Sequence, residues 1–223
     1  MLKRLPVLLL FCFACAVQLS AQTADLPFRM SIRASGTVPH PLSNKAFRRS
    51  FTGIYDVSAS VNFQVIKGFV AGLAYEHNLW KTPDNKIPGL NTYSQSHNGG
   101  IRVGYDRAIG ETAVAYFGVS ALTGRVNYYG ISYRPDSTHV PLQTKFTYRS
   151  IVPDLGVFFY TEGNFAIGVH ASLVFTDFQF NPDQLYLDQH KAYIASDYNG
   201  KVSHLNVGFC VVYSFWNPKK STN

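Results

Sequence analysis

Apolar residues return at every second position through most of this chain. The clearest stretch is 53–65, where Tyr55, Val57, Ala59, Val61, Phe63 and Val65 alternate with Asp56, Ser58, Ser60, Asn62 and Gln64. A period of two places successive side chains on opposite faces of a β-strand, so one face is greasy and the other wet. Eight segments carry this pattern, at about 27–38, 53–65, 68–78, 96–107, 111–124, 146–160, 164–176 and 202–216. In the last of them Leu205, Val207, Phe209, Val211, Tyr213 and Phe215 share one face, opposite His204, Asn206, Gly208, Cys210 and Ser214. Pro153 falls inside the sixth segment. A proline gives no hydrogen to a strand ladder, so a bulge or distortion is expected there. No stretch shows the 3.6-residue period of an amphipathic helix.

The connections alternate in length. Segments two and three, four and five, and six and seven are joined by short turns that contain Gly68, Gly110 and Gly163, residues suited to the positive φ of a hairpin turn. The other connections are long, polar and rich in Asn, Asp, Pro, Tyr and Lys. An even number of strands, with short turns at one end and long loops at the other, predicts an all-β fold. The specific expectation is an eight-stranded antiparallel up-and-down transmembrane β-barrel. A soluble sandwich or a lipocalin-like barrel also alternates, but gives no reason for such regular loop lengths. The segments also exceed the roughly five or six residues of ordinary globular strands. Tyr55, Tyr75, Trp80 and Tyr93 lie near the loop ends. Phe63, Phe69, Tyr105, Phe165, Tyr213, Phe215 and Trp216 lie near the turn ends. Two interfacial aromatic girdles are expected from this placement.

Composition sharpens the picture at three points. Charged residues make up 15% of the chain and aromatics 15%, against about 25% charged in soluble domains; a non-aqueous exterior accounts for both. Met1-Leu2-Lys3-Arg4 followed by the apolar run 5–17 and small residues up to Ala21 reads as a secretory signal peptide, residues 1–21. The expected domains are then that peptide, a barrel over 22–216 and a short periplasmic tail at 217–223. Cleavage removes Cys12 and Cys15 and leaves Cys210 alone, so no intramolecular disulfide is available. Removing Lys3 and Arg4 lowers the formal charge of +7 by two. Most of the remaining surplus falls in the long loops, on Lys45, Arg48, Arg49, Lys81, Lys86, Arg125, Arg134 and Lys145. The last long loop carries Asp177, Asp183, Asp188 and Asp197 instead. Basic residues at the outer rim suit contact with lipopolysaccharide phosphates.

The closing strand, ending in Tyr213, Phe215 and Trp216, resembles the last strand of Gram-negative outer-membrane barrels, which is their assembly signal. Over about 27–216 the pattern resembles the OmpA/OmpX-type eight-stranded outer-membrane β-barrel family, often labelled porin-like or outer membrane protein beta-barrel domain. The resemblance is one of pattern, because that family has almost no residue-level signature. It implies residence in the outer membrane after export, as a monomer among outer-membrane lipid and lipopolysaccharide. It further implies that Leu205, Val207, Phe209, Val211, Tyr213 and Phe215 are read by the barrel-assembly machinery. Its general roles are envelope integrity, adhesion and surface interaction. The peptidoglycan-binding domain of the OmpA type is not expected after Trp216.

If the apolar faces meet lipid, a polar network of Arg29, Arg33, Asp56, Glu76, Arg102, Asp106, Asp154, His170 and His204 fills the interior, with Asn62 and Gln64 beside it. Its charges nearly balance, and buried charges must pair. An eight-stranded bore is narrow enough for side chains to fill, so the lumen is expected closed; a narrow pore is the rival. The lipid A deacylase family carries a His-x-Ser pair with a downstream carboxylate, and His170-Ala171-Ser172 has that spacing. Both fall on the interior face, however. No Glu follows Ser172, so only Asp177, Asp183 or Asp188 stands where an orienting carboxylate would. The expectation is therefore a non-enzymatic protein without catalytic residues or cofactor, with a deacylase-like lipid A-modifying enzyme as the alternative. The histidines, His40, His77, His97, His139, His170, His190 and His204, show no metal-ligand spacing. No phosphate-binding, dinucleotide or nucleic-acid motif is present.

Overall fold

The computed structural model describes residues 30–66, 68–83, 85–87, 90–110, 112–133, 139–161, 163–187 and 193–215. The proposed signal peptide, Phe28, Arg29, Trp216 and the tail lie outside them. Gly68, Gly110 and Gly163 take positive φ, at 75°, 68° and 89°, and each turns one strand back on the next. The strands are β1 (Met30–Pro41), β2 (Thr52–Ile66), β3 (Phe69–Lys81), β4 (Asn91–Ile109), β5 (Ala113–Tyr133), β6 (His139–Tyr160), β7 (Phe165–Thr176) and β8 (Ser203–Ser214). Each pairs antiparallel with its sequence neighbours, and β1 pairs with β8 to close an eight-stranded barrel.

Strand parity decides which side each residue faces. Leu73, Ile101, Leu155, Val207 and Phe209 stand exposed on the outside, Phe209 at 76%. Arg33, Asn62, Glu76, Arg102 and Asn206 are buried inside. A continuous outward apolar ring of this size is foreign to soluble monomers. It is the surface of a lipid-embedded barrel.

The structure departs from the sequence reading in four places. First, the distortion expected at Pro153 is present, but it is not a bulge. Ser150↔Thr176 and Asp154↔Ser172 keep one register, and the β6–β7 ladder lapses between them, at the residue that has no N–H to give. The register shifts fall instead in β2–β3, at Gly53/Tyr55 and Gln64/Ile66. Second, the long loop expected after the fifth segment is largely strand, and the one after the third is strand at its two ends. β4, β5 and β6 run 19, 21 and 22 residues, so Arg125 and Lys145 sit on a projecting sheet. Third, helices do occur: α1 (Lys45–Ser50) and α2 (Ala195–Tyr198) are single short turns within long loops, too short to show a period. Fourth, Trp80 is no girdle residue. It points inward and is 3% exposed.

Candidate functional site

Three layers fill the barrel from the turn end to the loop end. The lowest is built on Tyr116 of β5. The Arg33 and Arg102 guanidinium carbons lie 5.0 and 5.7 Å from its ring centre, and its hydroxyl shares a 2.5 Å hydrogen bond with His170 Nδ1. Arg33 pairs with Asp106, and Arg102 donates to Asp154 Oδ2 at 2.6 Å. Two glycines make the room. A Cβ on Gly118 would collide with Arg102 Nη2 and fall 2.7 Å from Asp154 Oδ1. One on Gly156 would fall 2.6 Å from the Tyr116 ring. Below this layer Val114, Phe158, Ala166 and Val212 close the turn end with side chains.

The middle layer holds Asp56, Glu76 and His204, from β2, β3 and β8. They are 2%, 4% and 3% exposed, and one ligand atom of each lies within 4.8 Å of the others. Thr37 Oγ1 donates to Asp56 Oδ1 at 3.4 Å, and Asn78 Nδ2 donates to Glu76 Oε1 at 3.3 Å. Trp80 Nε1 donates to Asn78 Oδ1 at 3.0 Å, and its ring stands edge-on to His204 at 5.2 Å. Asp56 and Glu76 are diagonal neighbours on the β2–β3 hairpin, and His204 of β8 meets them across the bore. A cavity of about 50 Å³ lies between the lower and middle layers, and one of about 30 Å³ lies above His204. Each has room for a few waters at most.

The top layer is a cap with its own core. Phe47 and Phe51 of the first long loop, Trp80, Ile87, Leu90, Val126, Tyr128, Phe180, Leu185 and Leu187 pack together, nearly all fully buried. Asn44 organises the loops. Its Oδ1 accepts from Phe47 N at 2.9 Å and caps α1, while its Nδ2 donates to the carbonyls of Phe180 and Gly200. Asp197 of α2 accepts from Arg49 at 2.5 Å and pairs with Lys45 at 2.9 Å. The Lys45 hydrogen bond holds its carboxyl below the ordinary carboxylate value. Two of the rim cations are thus spent inside the cap. Lys86 is likewise turned to the carbonyls of Arg48 and Phe51.

Outside, Arg125, Lys145 and Arg149 share the exposed outward face of β5–β6, where Arg125 opposes Thr147, Asn127 opposes Lys145 and Thr123 opposes Arg149. Diagonal neighbours of this kind lie about 7–8 Å apart at their Cα atoms. The three stand directly above the apolar ring that ends with Ala121 and Ile151. Nearby on β3 and β4, His77 and His97 stack at 4.4 Å. Tyr55 and Tyr75 hydrogen-bond to them at 3.2 and 2.8 Å.

His170 and Ser172 face the lumen. His170 is engaged by Tyr116, and Ser172 sits opposite Asp154 on β6. Of the assembly-strand residues, Val207, Phe209, Val211, Tyr213 and Phe215 are exposed on the outside, and Leu205 is half-buried.

No family model and no curated protein matches the chain. A major outer membrane protein from Thermus thermophilus is similar in structure, with a TM-score of 0.51 at 11% identity; the match covers 85% of this chain and 100% of that one. Neisserial surface protein A gives 0.49 at 11% identity over 84% and 97%. The N-terminal β-barrel domain of Pseudomonas aeruginosa OprF gives 0.40 at 13% over 83% and 97%. The first of these carries the comparison, and at such identity it speaks for fold: the chain has the fold of the small eight-stranded outer-membrane barrels.

Proposed function

We propose that this protein is exported by its N-terminal signal peptide and assembled as a monomer into the outer membrane of a Gram-negative envelope. There it serves as a non-conducting structural and surface-interaction barrel. The observation that carries this reading is the filled lumen: side chains occupy the bore in three layers, and the loop end is sealed by an aromatic core. Such a barrel presents only its outer surface to partners. That surface offers an apolar ring to lipid and the cations Arg125, Lys145 and Arg149 at the height of the lipopolysaccharide phosphates. Guanidinium and ammonium groups recognise phosphate by charge-assisted hydrogen bonds. The barrel-assembly machinery is the expected partner of β8.

The enzyme reading is disfavoured by geometry. Acyl chains of lipid A run along the outside of the barrel, while His170 and Ser172 face the inside. Mass spectrometry of lipid A from cells with and without the protein is expected to show identical acylation. Loss of an acyl chain that depends on Ser172 would restore the deacylase reading. Conductance tests the main one: in planar bilayers the wild type is expected to show no large, stable openings, and such openings would overturn it. Lipopolysaccharide binding by the variant with Arg125, Lys145 and Arg149 all changed to Glu is expected to fall at least tenfold. An unchanged affinity removes these residues from the proposal.

A further inference from the structure

The Asp56–Glu76–His204 cluster carries more than a packing role. Two carboxylates stand together inside the barrel, and the described arginines of the lumen are engaged elsewhere, Arg33 by Asp106 and Arg102 by Asp154. Asp56 Oδ2 and both ring nitrogens of His204 are fully buried and accept or donate no hydrogen bond. His204 Nε2 lies 4.0 Å from Glu76 Oε1, beyond bonding reach. Unpaired buried groups of this kind cost stability unless something satisfies them together.

We propose that this cluster is a binding site for one divalent first-row cation, with Zn²⁺ as its probe. Carboxylate oxygens and a neutral imidazole are its ordinary ligands, at about 2.0–2.2 Å. A tetrahedral ion needs its ligand atoms about 3.4 Å apart. The cluster, whose ligand atoms lie within 4.8 Å of one another, reaches this by closing about 1.4 Å at its widest through side-chain rotation. The charges balance, two carboxylates against one dication. The two carboxylates already have outer contacts of the kind a metal site uses. Thr37 and Asn78 each hold one carboxylate oxygen, and Trp80 fixes Asn78 from behind. The 30 Å³ cavity beside His204 leaves space for a water as fourth ligand. The ion would join β8 to β2 and β3 across the bore. Sealed above by the cap and below by Tyr116, it enters while the barrel closes.

The experiment refolds the full chain after chelation, with and without ZnCl2. It isolates the heat-modifiable folded form, washes it, and measures zinc by atomic spectroscopy. Folded wild type is expected to retain one equivalent, and zinc added after folding to enter far more slowly. Asp56→Asn and His204→Gln are expected to lose retention at least tenfold per folded molecule; His170→Gln, in the same lumen but outside the cluster, is expected to keep it. Cobalt(II) loading of the wild type needs no variant and is expected to give visible absorption bands of a low-symmetry nitrogen–oxygen site. A folded wild type that holds no more zinc than His204→Gln, or that shows only the hexaaqua cobalt spectrum, overturns the proposal. The cluster then carries a shared proton between its carboxylates. Neither result bears on conductance or lipid binding.

Discussion

At the scale of single residues, the membrane imposes a parity rule that substitutions can read. Phe209 is among the most exposed apolar residues of the outer face, midway along β8, and Asn206 is wholly buried inside. An arginine facing lipid near mid-membrane costs about 2–4 kcal/mol. Phe209→Arg is therefore expected to reduce the folded, heat-modifiable protein in the outer membrane severely, while Asn206→Ser leaves it close to wild type. Equal levels would contradict the assignment of faces. Inside, Arg102→Met strands Asp154 without its partner, and removing one member of a buried pair costs about 3–5 kcal/mol. Urea unfolding in detergent checks this, and Gly118→Ala is expected to lower stability in the same way by pushing that pair apart. These interior residues were legible in the sequence because each is a polar position on an alternating strand. Their partners were not: Arg102 meets Asp154 two strands away, and His204 of the last strand reaches the Asp56–Glu76 pair of the β2–β3 hairpin only when the barrel closes.

Among the elements, the strands were legible within the membrane and poorly so above it, for one physical reason. Lipid makes the outward, odd-numbered positions of β5 and β6 apolar, such as Phe117, Val119, Ile151 and Leu155. Above the membrane the outside is water and the inside is the cap core, so the apolar positions become the even ones: Val126, Tyr128, Phe146 and Tyr148. The alternation changes phase at the surface, and a strand that changes phase reads as a loop. At about 3.3 Å per residue these strands extend near 70 Å, well beyond the roughly ten residues a tilted crossing needs. The cap helices were illegible because neither is long enough to show a period. Their clamp is testable. Asp197→Asn releases Lys45 and Arg49, and trypsin is expected to cut after Arg48 or Arg49 several-fold faster while the barrel stays heat-modifiable. Acid should mimic it. The carboxyl of Asp197 is held below its ordinary value, so the clamp is fully present above the unfolded pKa of about 3.9 and is lost as pH falls through the lower folded value. Protease sensitivity of wild type is expected to be flat from neutrality to about pH 4 and to rise below it. A rise near pH 6 would point to another group.

For the molecule as a whole, alternation of loop length and polarity carried the topology, and the closed order β1 to β8 follows it strand by strand. What no pattern announced is that the loop end possesses a core of its own. That core has a consequence for time as well as for shape. Phe47 and Phe51 follow the first strand, whereas Phe180, Leu185 and Leu187 precede the last. Trp80 touches Phe47 at 5.1 Å and His204 of the final strand at 5.2 Å, so its surroundings are finished only when both ends of the chain have arrived. The chain has 2 tryptophans, and Trp216→Phe leaves Trp80 as the one indole, excited selectively over tyrosine at the red edge of its absorption. During refolding into detergent or lipid, its blue shift is expected to appear with the heat-modifiable band or after it, never before. One indole under the cap is thus a clock hand for the last act of assembly, the seam between the first strand and the eighth.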